Sequence, residues 1–472
     1  MASDHQVLIL GAGPSGLGSG LGLLLHDYPG RISVVERRDR PGGLAGSFSW
    51  KGHTIDYGPH RLSPNIPEIR MLASELLGPD LLVQKSQHGV QMGGRLYQFP
   101  PRVLDWLNPR SLWELGWFGA SYAGAKLGWV TRRFDQDTFE SIITRKFGRR
   151  FYTQIVAPMS EKVWIAPERI DPAFAELRFA QVQPRAVLRR ILFPKQELNP
   201  ATFYYPRRGY QQIWSSMADW LKWRGHEIMY ESEATAIHVD GTRIRAVDLA
   251  GPWGKRTVET EHLTVVSTIP LTPFVRLLSG LDTGEMLHDL GRAKVRSMIL
   301  IAFEFAQPET LPYRTLIFPE RRFHFNRLFE QNKYSRSCVT EGKSVVVSDT
   351  TVDPGSSLLD QTDEQLVELV RRDLARLPYI DVSRISDATV RRVPYAYVVP
   401  DVDTRQAMFE VLHRLKAISN LILLGRFSVG EYDNSDYAID HGLRVGAMLS
   451  GHVSQLRYLT AMHEKSSRSI VG

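Results

Sequence analysis

The run VLILGAGPSGLGSGLGLLL, residues 7–25, constrains the fold of this chain more than any other stretch. A secretion signal is not expected here, because the preceding MASDHQ contains an acid and no lysine or arginine. A membrane-spanning helix is not expected either, since the run contains six glycines and a proline. The order of residues instead predicts a buried strand that ends at Leu10, then a tight turn, then an apolar helix.

The glycines of this turn, Gly11, Gly13 and Gly16, have the G-x-G-x-x-G spacing of a dinucleotide-binding site. The first glycine permits the turn, the second lets the backbone approach a pyrophosphate, and the third lets the helix pack on the strand. Pro14 and Ser15 stand at the start of the helix, whose N-terminus would face the phosphates. All five residues are therefore assigned to cofactor binding.

The second predicted strand, RISVVERR, places Glu36 twenty residues after Gly16. An acid at this distance can accept hydrogen bonds from the ribose hydroxyls of an adenosine, and it argues against the 2′-phosphate of NADP. Arg37 and Arg38 follow directly and leave that argument open. We assign Glu36 and Arg37 to the cofactor site.

Composition narrows the functional classes. The chain has 472 residues and a formal net charge of +7, which suits an anionic ligand, a nucleic acid or an acidic membrane surface. The arginines are dispersed and no nucleic-acid-binding motif accompanies them, so a nucleic-acid partner is not predicted. The single cysteine, Cys338, allows neither an intrachain disulfide nor a cysteine metal cluster. We predict no metal site and a cytoplasmic protein.

The strand and helix patterns predict two interleaved domains. Residues 1–80, 203–275 and 416–460 are assigned to the dinucleotide-binding domain. Residues 81–202 and 276–415 are assigned to a substrate-binding domain with helical and sheet parts, and residues 461–472 to a polar tail. Asp137 or Thr138 is predicted to cap a helix.

Two further segments are predicted to lie against the cofactor. The first follows Glu36 and contains paired glycines, a short hairpin in GSFSWKGHTIDYG, and a turn; its assigned residues are Gly43, Leu44, Gly58 and Pro59. The second follows a buried strand near the C-terminus and leads into another helix N-terminus; its assigned residues are Gly425, Arg426, Asp436, Tyr437 and Ala438.

The glycine fingerprint, ERRDRPGGLAGS, VVSTIP, LLGRF and DYAIDHG together resemble FAD enzymes of the amine oxidase and protoporphyrinogen oxidase superfamily. The resemblance covers nearly the whole chain. It implies an α/β fold in which a Rossmann-like FAD-binding domain of the GR2 type is interleaved with a mixed α+β substrate domain. It also implies FAD, with the pyrophosphate at the first helix and the flavin ring at the domain interface.

A finer resemblance, to UDP-galactopyranose mutase-like flavoproteins, is carried by YGPHRLSPN, EKVWIAPERIDPAFAELRFA, FYYPRRGYQQIW and LIFPERRFHFNRLFEQNKYS. It implies that His60 lies beside the flavin ring and that Arg178 and Arg327 hold a substrate diphosphate. Two arginines can clamp a diphosphate with forked, charge-assisted hydrogen bonds. From the pattern alone, Arg178 on a helix also suits a surface ion pair. The other residues assigned to substrate binding are Trp164, Tyr334 and Tyr432.

The chain also departs from the mutase pattern at three positions. Thr315 and Ile317 stand where the eukaryotic enzymes carry aromatics, and Tyr437 stands where a histidine is expected. These differences predict an altered sugar or phosphate pocket, and hence a substrate other than UDP-galactose. They leave the prediction of FAD unchanged.

Two reactions remain open from the sequence. A mutase would use reduced flavin without net redox change, with NAD(P)H as a candidate electron donor and a small anionic substrate. An FAD oxidoreductase would instead oxidise a small, isoprenoid or porphyrin substrate. The aromatic and basic residues 106–134 also suit a membrane surface, but Glu114 and Lys126 interrupt the apolar run, so a packed helix pair is favoured there. The oligomeric state is not predicted.

Overall fold

The computed structural model describes residues 5–63, 66–99, 109–128, 137–179, 202–259, 261–430 and 432–452. The side chains of residues 99, 109–112, 114, 115 and 177–179 lie outside this description. The predicted polar tail, residues 461–472, also lies outside the described residues.

A five-stranded parallel sheet forms the centre of the first domain, as the α/β prediction requires. Its strands in spatial order are Leu421–Leu423, His262–Ser267, His5–Leu10, Arg31–Val35 and Glu227–Met229. The inner strands consist of nearly continuous buried aliphatic residues, because helices or loops cover both faces of a parallel sheet. The predicted strand, turn and helix at the N-terminus are confirmed, with the helix at Pro14–Leu25.

Two glycine-rich helices pack unusually close together on this sheet. A Cβ on Gly18 would lie 2.7 Å from the Ile439 carbonyl oxygen, and a Cβ on Gly446 would lie 2.2 Å from the Gly22 carbonyl carbon. The fingerprint helix Pro14–Leu25 therefore lies directly against the C-terminal helix Ser435–Leu449. This contact explains Gly18 and Gly22, whereas Gly20 packs on the helix Gln211–Trp223, where a Cβ would lie 2.9 Å from the Leu221 side chain.

A four-stranded sheet packs beside the parallel sheet. Its strands in spatial order are Gly254–Glu259, Arg243–Gly251, Glu233–Asp240 and Leu278–Ser279. The helices Leu271–Leu277, Gly284–Leu290 and Val402–Leu415 share the buried cluster between these sheets. Residues 278–290 and 402–415, which the sequence analysis assigned to the substrate domain, thus pack into the core of the nucleotide domain. Met286, Leu290 and Val411 of these segments are buried in that core.

A seven-stranded sheet forms the second domain. Its strands in spatial order are Ile385–Val398, Val295–Phe305, Ser344–Val352, Arg327–Glu330, Thr315–Ile317, His88–Met92 and Arg95–Phe99. The helix Asp363–Leu374 covers one face, with Leu366, Val370 and Leu374 buried. A capping box between Thr362 and Gln365 satisfies its first turn.

Helices form the remainder of the second domain. They are Pro109–Lys126, Phe139–Phe147, Arg149–Phe151, Ala157–Val163 and Pro172–Phe179, with a π-helical segment at Tyr152–Val156. The predicted cap is confirmed at Thr138, whose side chain accepts a hydrogen bond from the Ser141 backbone. A buried cluster around Phe139, Ile143 and Trp164 holds this region together.

Shorter elements join the two domains. The predicted hairpin is confirmed as the antiparallel strands Ser47–Trp50 and His53–Asp56, and a second pair is formed by Leu81–Lys85 and Thr202–Pro206. The remaining helices are Pro67–Leu77, Gln211–Trp223 and Arg426–Val429. Single 3-10 turns lie at Gly43–Ala45, Gly78–Asp80, Pro167–Arg169, Gln331–Lys333, Arg336–Cys338, Ser357–Leu359 and Val382–Arg384.

Candidate functional site

The turn after the first strand leaves open space in front of the fingerprint helix. Gly11 has a φ of +102°, in the left-handed region that favours glycine. A Cβ on Gly16 would lie 2.0 Å from the Gly11 carbonyl oxygen, so the helix packs directly on the turn. A Cβ on Gly13, in contrast, would meet no heavy atom of the described chain within 4 Å. Packing explains Gly11 and Gly16, whereas Gly13 borders a space that a side chain would fill.

Glu36 lies at the end of the neighbouring strand, beside this space. Its Oε2 accepts a hydrogen bond from the Ala12 backbone at 2.9 Å, and its Oε1 accepts one from the Arg38 backbone at 2.9 Å. The carboxylate is therefore held against the glycine turn. Arg37, which the sequence analysis assigned to the site, is exposed, whereas Arg38 turns inward and donates to the Gly43 carbonyl at 3.0 Å.

The paired-glycine loop folds onto the fingerprint turn. The Gly42 N–H donates to the Ala12 carbonyl at 2.8 Å, and a Cβ on Gly43 would lie 3.5 Å from the Gly13 Cα. Trp214, which is fully buried, donates its indole N–H to the Ala45 carbonyl at 2.6 Å. The glycine turn thus contacts both Glu36 and this loop.

The C-terminal segment closes the same region from the other side. Gly425 has a φ of +93°, and a Cβ there would lie 3.5 Å from the Ser15 hydroxyl. A few residues later, Asp436 and Tyr437 are buried in the first turn of the C-terminal helix. Both carboxylate oxygens of Asp436 lack a well-aligned hydrogen-bond donor within the described residues. Burial raises the pKa of Asp436 to about 6, with Asp433 adding to the effect.

His60 follows the hairpin and reaches back to the paired-glycine loop. Its Nε2 lies 3.0 Å from the Leu44 carbonyl oxygen, so this nitrogen carries the proton and donates. Its ring stacks on Tyr210, with centroids 5.2 Å apart, and a Cβ on Gly58 would lie 3.6 Å from the ring. Burial lowers the pKa of His60 to about 4, and the charges of Arg327 and Arg426 lower it further. His60 is therefore a neutral donor held beside two arginines.

Arg327 lies on a strand of the seven-stranded sheet, opposite Asp349. Its Nε donates to Asp349 Oδ2 at 2.7 Å, and its Nη2 donates to the Tyr397 hydroxyl at 3.1 Å. No protein acceptor contacts Nη1 within the described chain. Burial by itself would lower the pKa of Arg327. The neighbouring Asp349 and Tyr397 nevertheless raise this pKa above its ordinary value. The guanidinium is held in one orientation with one edge left for a ligand.

An aromatic cluster connects Arg327 to the helical region. Tyr397 stacks on Tyr432, with centroids 5.9 Å apart and planes 8° apart. Tyr432 contacts Trp164 edge to face, with centroids 6.1 Å apart, and lies below the Arg426 guanidinium at 4.8 Å. Phe174 completes the cluster, 4.7 Å from Trp164. The structure thus brings together Arg327, Arg426, Tyr432 and Trp164, four residues that the sequence analysis assigned to the site.

Tyr334 belongs to a separate aromatic group. Its hydroxyl lies 2.7 Å from the Thr315 hydroxyl, and its ring packs on Tyr205 with centroids 5.2 Å apart. The Arg314 guanidinium lies 5.3 Å from the same ring. Thr315, one of the departures from the mutase pattern, therefore engages the hydroxyl of Tyr334, a residue that the sequence analysis assigned to substrate binding. Arg178 lies on the helix Pro172–Phe179, and its side chain is outside the described residues.

The sequence profile of the family described as flavin containing amine oxidoreductase matches residues 22–447. The chain belongs to this family. It is 26% identical over 311 residues to a phytoene dehydrogenase of Streptomyces griseus, a match that spans 58% of this chain and only 56% of that protein.

Solved structures share the fold of this amine oxidoreductase family member over almost its whole length. A reduced UDP-galactopyranose mutase is 22% identical, with a TM-score of 0.80 and 98% of each chain covered. A candidate protoporphyrinogen oxidase from Exiguobacterium sp. 255-15 is 17% identical, with a TM-score of 0.65, covering 93% of this chain and 99% of that one. At these identities the likeness shows the fold.

The residues of the nucleotide site fit the FAD that the family implies. Gly13 borders a space free of described protein atoms, and the Glu36 carboxylate is held against the glycine turn by the Ala12 N–H, at the sequence position expected of a ribose-binding acid. The N-terminus of the fingerprint helix opens into that space, where it would stabilise the phosphates. Gly13, Glu36 and Gly43 would hold the nucleotide, and the His60 loop would lie towards the flavin.

Sequence reasoning missed several residues of this flavoenzyme's site. Asp349 and Tyr397 fix Arg327, yet neither stands in a recognisable motif. A buried network also holds Tyr210, on which the His60 ring stacks: Asp56 accepts hydrogen bonds from Ser47 and Tyr205, each at 2.6 Å, and from the Tyr210 backbone at 3.2 Å. Burial raises the pKa of Asp56 to about 6, although these hydrogen bonds oppose the shift. The FYYPRRGY motif was the available signal, since it supplies Tyr205 and Tyr210.

Proposed function

We propose that this FAD-dependent flavoenzyme acts on a small anionic substrate of the nucleotide-sugar class, in a mutase-like reaction that needs reduced flavin. The observation that carries the proposal is the orientation of Arg327, whose Nη1 edge is left without a protein partner in the described chain. The N–H groups of Nη1 can donate charge-assisted hydrogen bonds to a phosphate or carboxylate.

The electrostatics around His60 support an anionic substrate. The pKa of His88 falls to about 4 because the side chain is buried and because Arg61, Arg314 and Arg327 lie near it. The pKa of His60 is lowered in the same way, by burial and by Arg327 and Arg426. Both histidines therefore stay neutral, because protonation would place a further positive charge beside these arginines. This excess of fixed positive charge would favour binding of an anion.

In the proposed reaction, reduced flavin would supply the electron-rich ring that reacts with the sugar, and NAD(P)H is a candidate donor for its reduction. Arg327 and Tyr397 would bind the departing phosphate and stabilise its charge, with Arg178 as a proposed second contact. Preorganised donors of this kind can supply several kcal/mol of transition-state stabilisation. His60 would hold the Leu44 loop in place while remaining neutral.

Thr315 and Ile317 support a substrate other than UDP-galactose. The hydroxyl of Thr315 engages Tyr334, and Ile317 lies in the strand beside Arg327. A small residue and an aliphatic residue would leave a pocket of different shape from one lined by aromatic rings. We therefore propose a different sugar, with the nucleotide left to experiment.

The second candidate is an FAD oxidoreductase acting on an uncharged or apolar substrate. The contact between Arg327 and Asp349, 2.6 Å at its shortest, favours it, because the carboxylate already compensates the guanidinium charge. The aromatic cluster of Trp164, Phe174 and Tyr432 would suit an apolar substrate, and the phytoene dehydrogenase relative supports the same alternative.

Titration of the FAD-loaded protein with UDP, dTDP and GDP sugars separates the two functions. Oxidised and dithionite-reduced samples are followed by flavin absorbance, with products resolved by chromatography. A mutase-like enzyme should bind its substrate more tightly when reduced and consume no stoichiometric reductant. Arg327→Ala should weaken binding about ten- to a hundredfold, since a hydrogen bond to a charged group contributes about 1.5–3 kcal/mol.

Arg336→Ala is the matched control, because the Arg336 side chain is 91% exposed and should not affect binding. Indifference to every nucleotide sugar, together with flavin reduction by an uncharged metabolite, would refute the mutase-like proposal in favour of the oxidoreductase.

A further inference from the structure

The helix Pro109–Lys126 has a large apolar surface open to solvent. Trp113 is 67% exposed and Trp117 is 47% exposed, and their rings meet edge to face with centroids 5.6 Å apart. Leu127, directly after the helix, is 63% exposed. A Cβ on Gly116 or Gly119 would meet no heavy atom within 4 Å. Nothing in the described chain covers these residues.

The exposed residues fall on one side of the helix. Their spacing of three or four residues is that of a helical face, and we call this set the tryptophan face: Trp113, Gly116, Trp117, Ala120, Ala123 and Leu127. The opposite side is seated on the protein, since Ala125 is buried and the Arg150 backbone donates to the Ser121 hydroxyl at 3.0 Å. A Cβ on Gly148 would lie 2.9 Å from the Ser121 backbone. Because the helix packs on the protein through its Ser121 side, the tryptophan face points towards solvent.

Basic side chains surround this face. The Arg150 guanidinium lies 5.7 Å from the Trp117 ring, and the Lys126 ammonium lies 5.5 Å from the Tyr122 ring. Arg145 and Arg149 are exposed on the helices beneath. Among the described side chains between Trp113 and Phe151, five are lysines or arginines and two are acids. The surface combines exposed tryptophans with an excess of positive charge.

We propose that the tryptophan face docks on the surface of an anionic phospholipid bilayer. Tryptophan side chains partition to the headgroup region, and each lysine or arginine near an anionic surface adds about fivefold to binding. The helix would lie along the interface, because no helix in the described chain has the length and apolarity to cross a bilayer. A second copy fits this face less well, since a two-fold contact would set the same positive charges against each other.

This inference does not depend on the substrate proposed above. Of residues 106–134, for which the sequence favoured a packed helix pair, the structure describes residues 109–128. It is tested by flotation of the full-length, FAD-loaded protein with vesicles. One set contains phosphatidylcholine alone, and the other contains equal parts of phosphatidylcholine and phosphatidylglycerol. The protein should float with the anionic vesicles at low salt, and binding should weaken as salt is added.

Two sets of variants locate the contact. Trp113→Ser/Trp117→Ser and Lys126→Gln/Arg149→Gln should each weaken binding to anionic vesicles by about tenfold or more. Trp223→Ser is the matched control, because Trp223 is 79% exposed on a different helix and should leave binding unchanged. Flavin absorbance and thermal unfolding establish that each variant is folded, which is expected because these side chains are exposed.

Failure of the wild-type protein to bind anionic vesicles would overturn the proposal. Unchanged binding by Trp113→Ser/Trp117→Ser would overturn it as well. A protein that does not float, but is a dimer by light scattering and becomes a monomer in the tryptophan variant, would show that a second copy covers the face.

Discussion

Arg327 and Asp349 lie opposite each other on adjacent antiparallel strands, with Arg327 Nη2 2.6 Å from Asp349 Oδ2. Asp349 is fully buried, whereas the Arg327 side chain is 29% exposed. The carboxylate thus lies beneath the guanidinium, and the exposed edge of the guanidinium points away from it. The arrangement both stabilises the strand pair and orients a cation for binding.

These two contributions can be separated by substitution. Arg327→Met leaves the Asp349 carboxylate buried without its partner, which should lower the free energy of unfolding by about 3–5 kcal/mol. Arg327→Met/Asp349→Leu removes both charges and should recover most of that loss. Neither variant should bind a diphosphate. Urea unfolding, followed by circular dichroism, measures the first effect and flavin difference spectra the second; equal instability of both variants would contradict the buried-charge explanation.

The nucleotide site was the part most accessible from sequence, because its chemistry is local. Gly11, Gly13 and Gly16 lie within six residues of one another, and their spacing, together with the apolar residues on either side and Glu36 after them, predicts the strand, turn and helix. Asp349 and Tyr397 were not predicted, since they reach Arg327 only through the register of strands far apart in the chain. A register shifted by one residue would turn each side chain to the other face of the sheet.

The helix contact that closes the nucleotide domain illustrates the same limit. Gly18 and Gly22 stand out as unusual in a helix, because glycine destabilises helices relative to alanine. These two glycines are explained only by the structure, in which the helix backbone packs against Gly442 and Gly446, more than 400 residues later in the chain. Sequence shows that a close approach is needed at such a position, but it does not identify the partner.

Substitution of two neighbouring glycines should have different consequences. Gly13→Val places a side chain in open space, so the fold should be kept while FAD binding is lost. Gly16→Val forces a Cβ to 2.0 Å from the Gly11 carbonyl oxygen, so both the fold and the cofactor should be lost. Flavin absorbance per protein and the thermal unfolding of the FAD-free forms report the two outcomes. A fully yellow Gly13→Val protein would refute the assignment of this space to the pyrophosphate.

A buried ion cluster predicts how the free energy of unfolding changes at acid pH. Glu304 contacts His53 at 2.7 Å and Lys343 at 2.9 Å, joining the hairpin to the seven-stranded sheet. Burial would raise the pKa of Glu304, but hydrogen bonds from Ser386, Lys343 and His53 lower it to about 2. The folded pKa thus lies below the ordinary value of 4.5, so this stabilisation is present above pH 4.5 and is lost as the pH falls towards 2.

Glu304→Gln should therefore be less stable than the wild type by an amount that depends on pH. The difference in unfolding free energy should be constant above about pH 5 and should shrink by on the order of 2–3 kcal/mol towards pH 2. Glu368→Gln is the control, since its side chain is 47% exposed in a surface helix. A difference that does not change with pH would mean that Glu304 does not carry this linkage.

His60 should remain neutral throughout the pH range in which the enzyme would work. Burial, with the charges of Arg327 and Arg426, lowers its pKa to about 4, below the ordinary value of 6.5. The unfolded chain therefore binds a proton more readily than the folded chain, so the contribution of His60 to stability is complete above pH 6.5 and falls as the pH drops towards 4.

Proton NMR of the imidazole Cε1–H should show no titration of His60 between pH 8 and pH 5, with the resonance assigned by its loss in His60→Asn. In Arg327→Met the pKa of His60 should rise, because one of the two opposing charges is removed. A titration midpoint near 6.5 in the wild type would show that the ring is solvated and does not donate steadily to the Leu44 carbonyl.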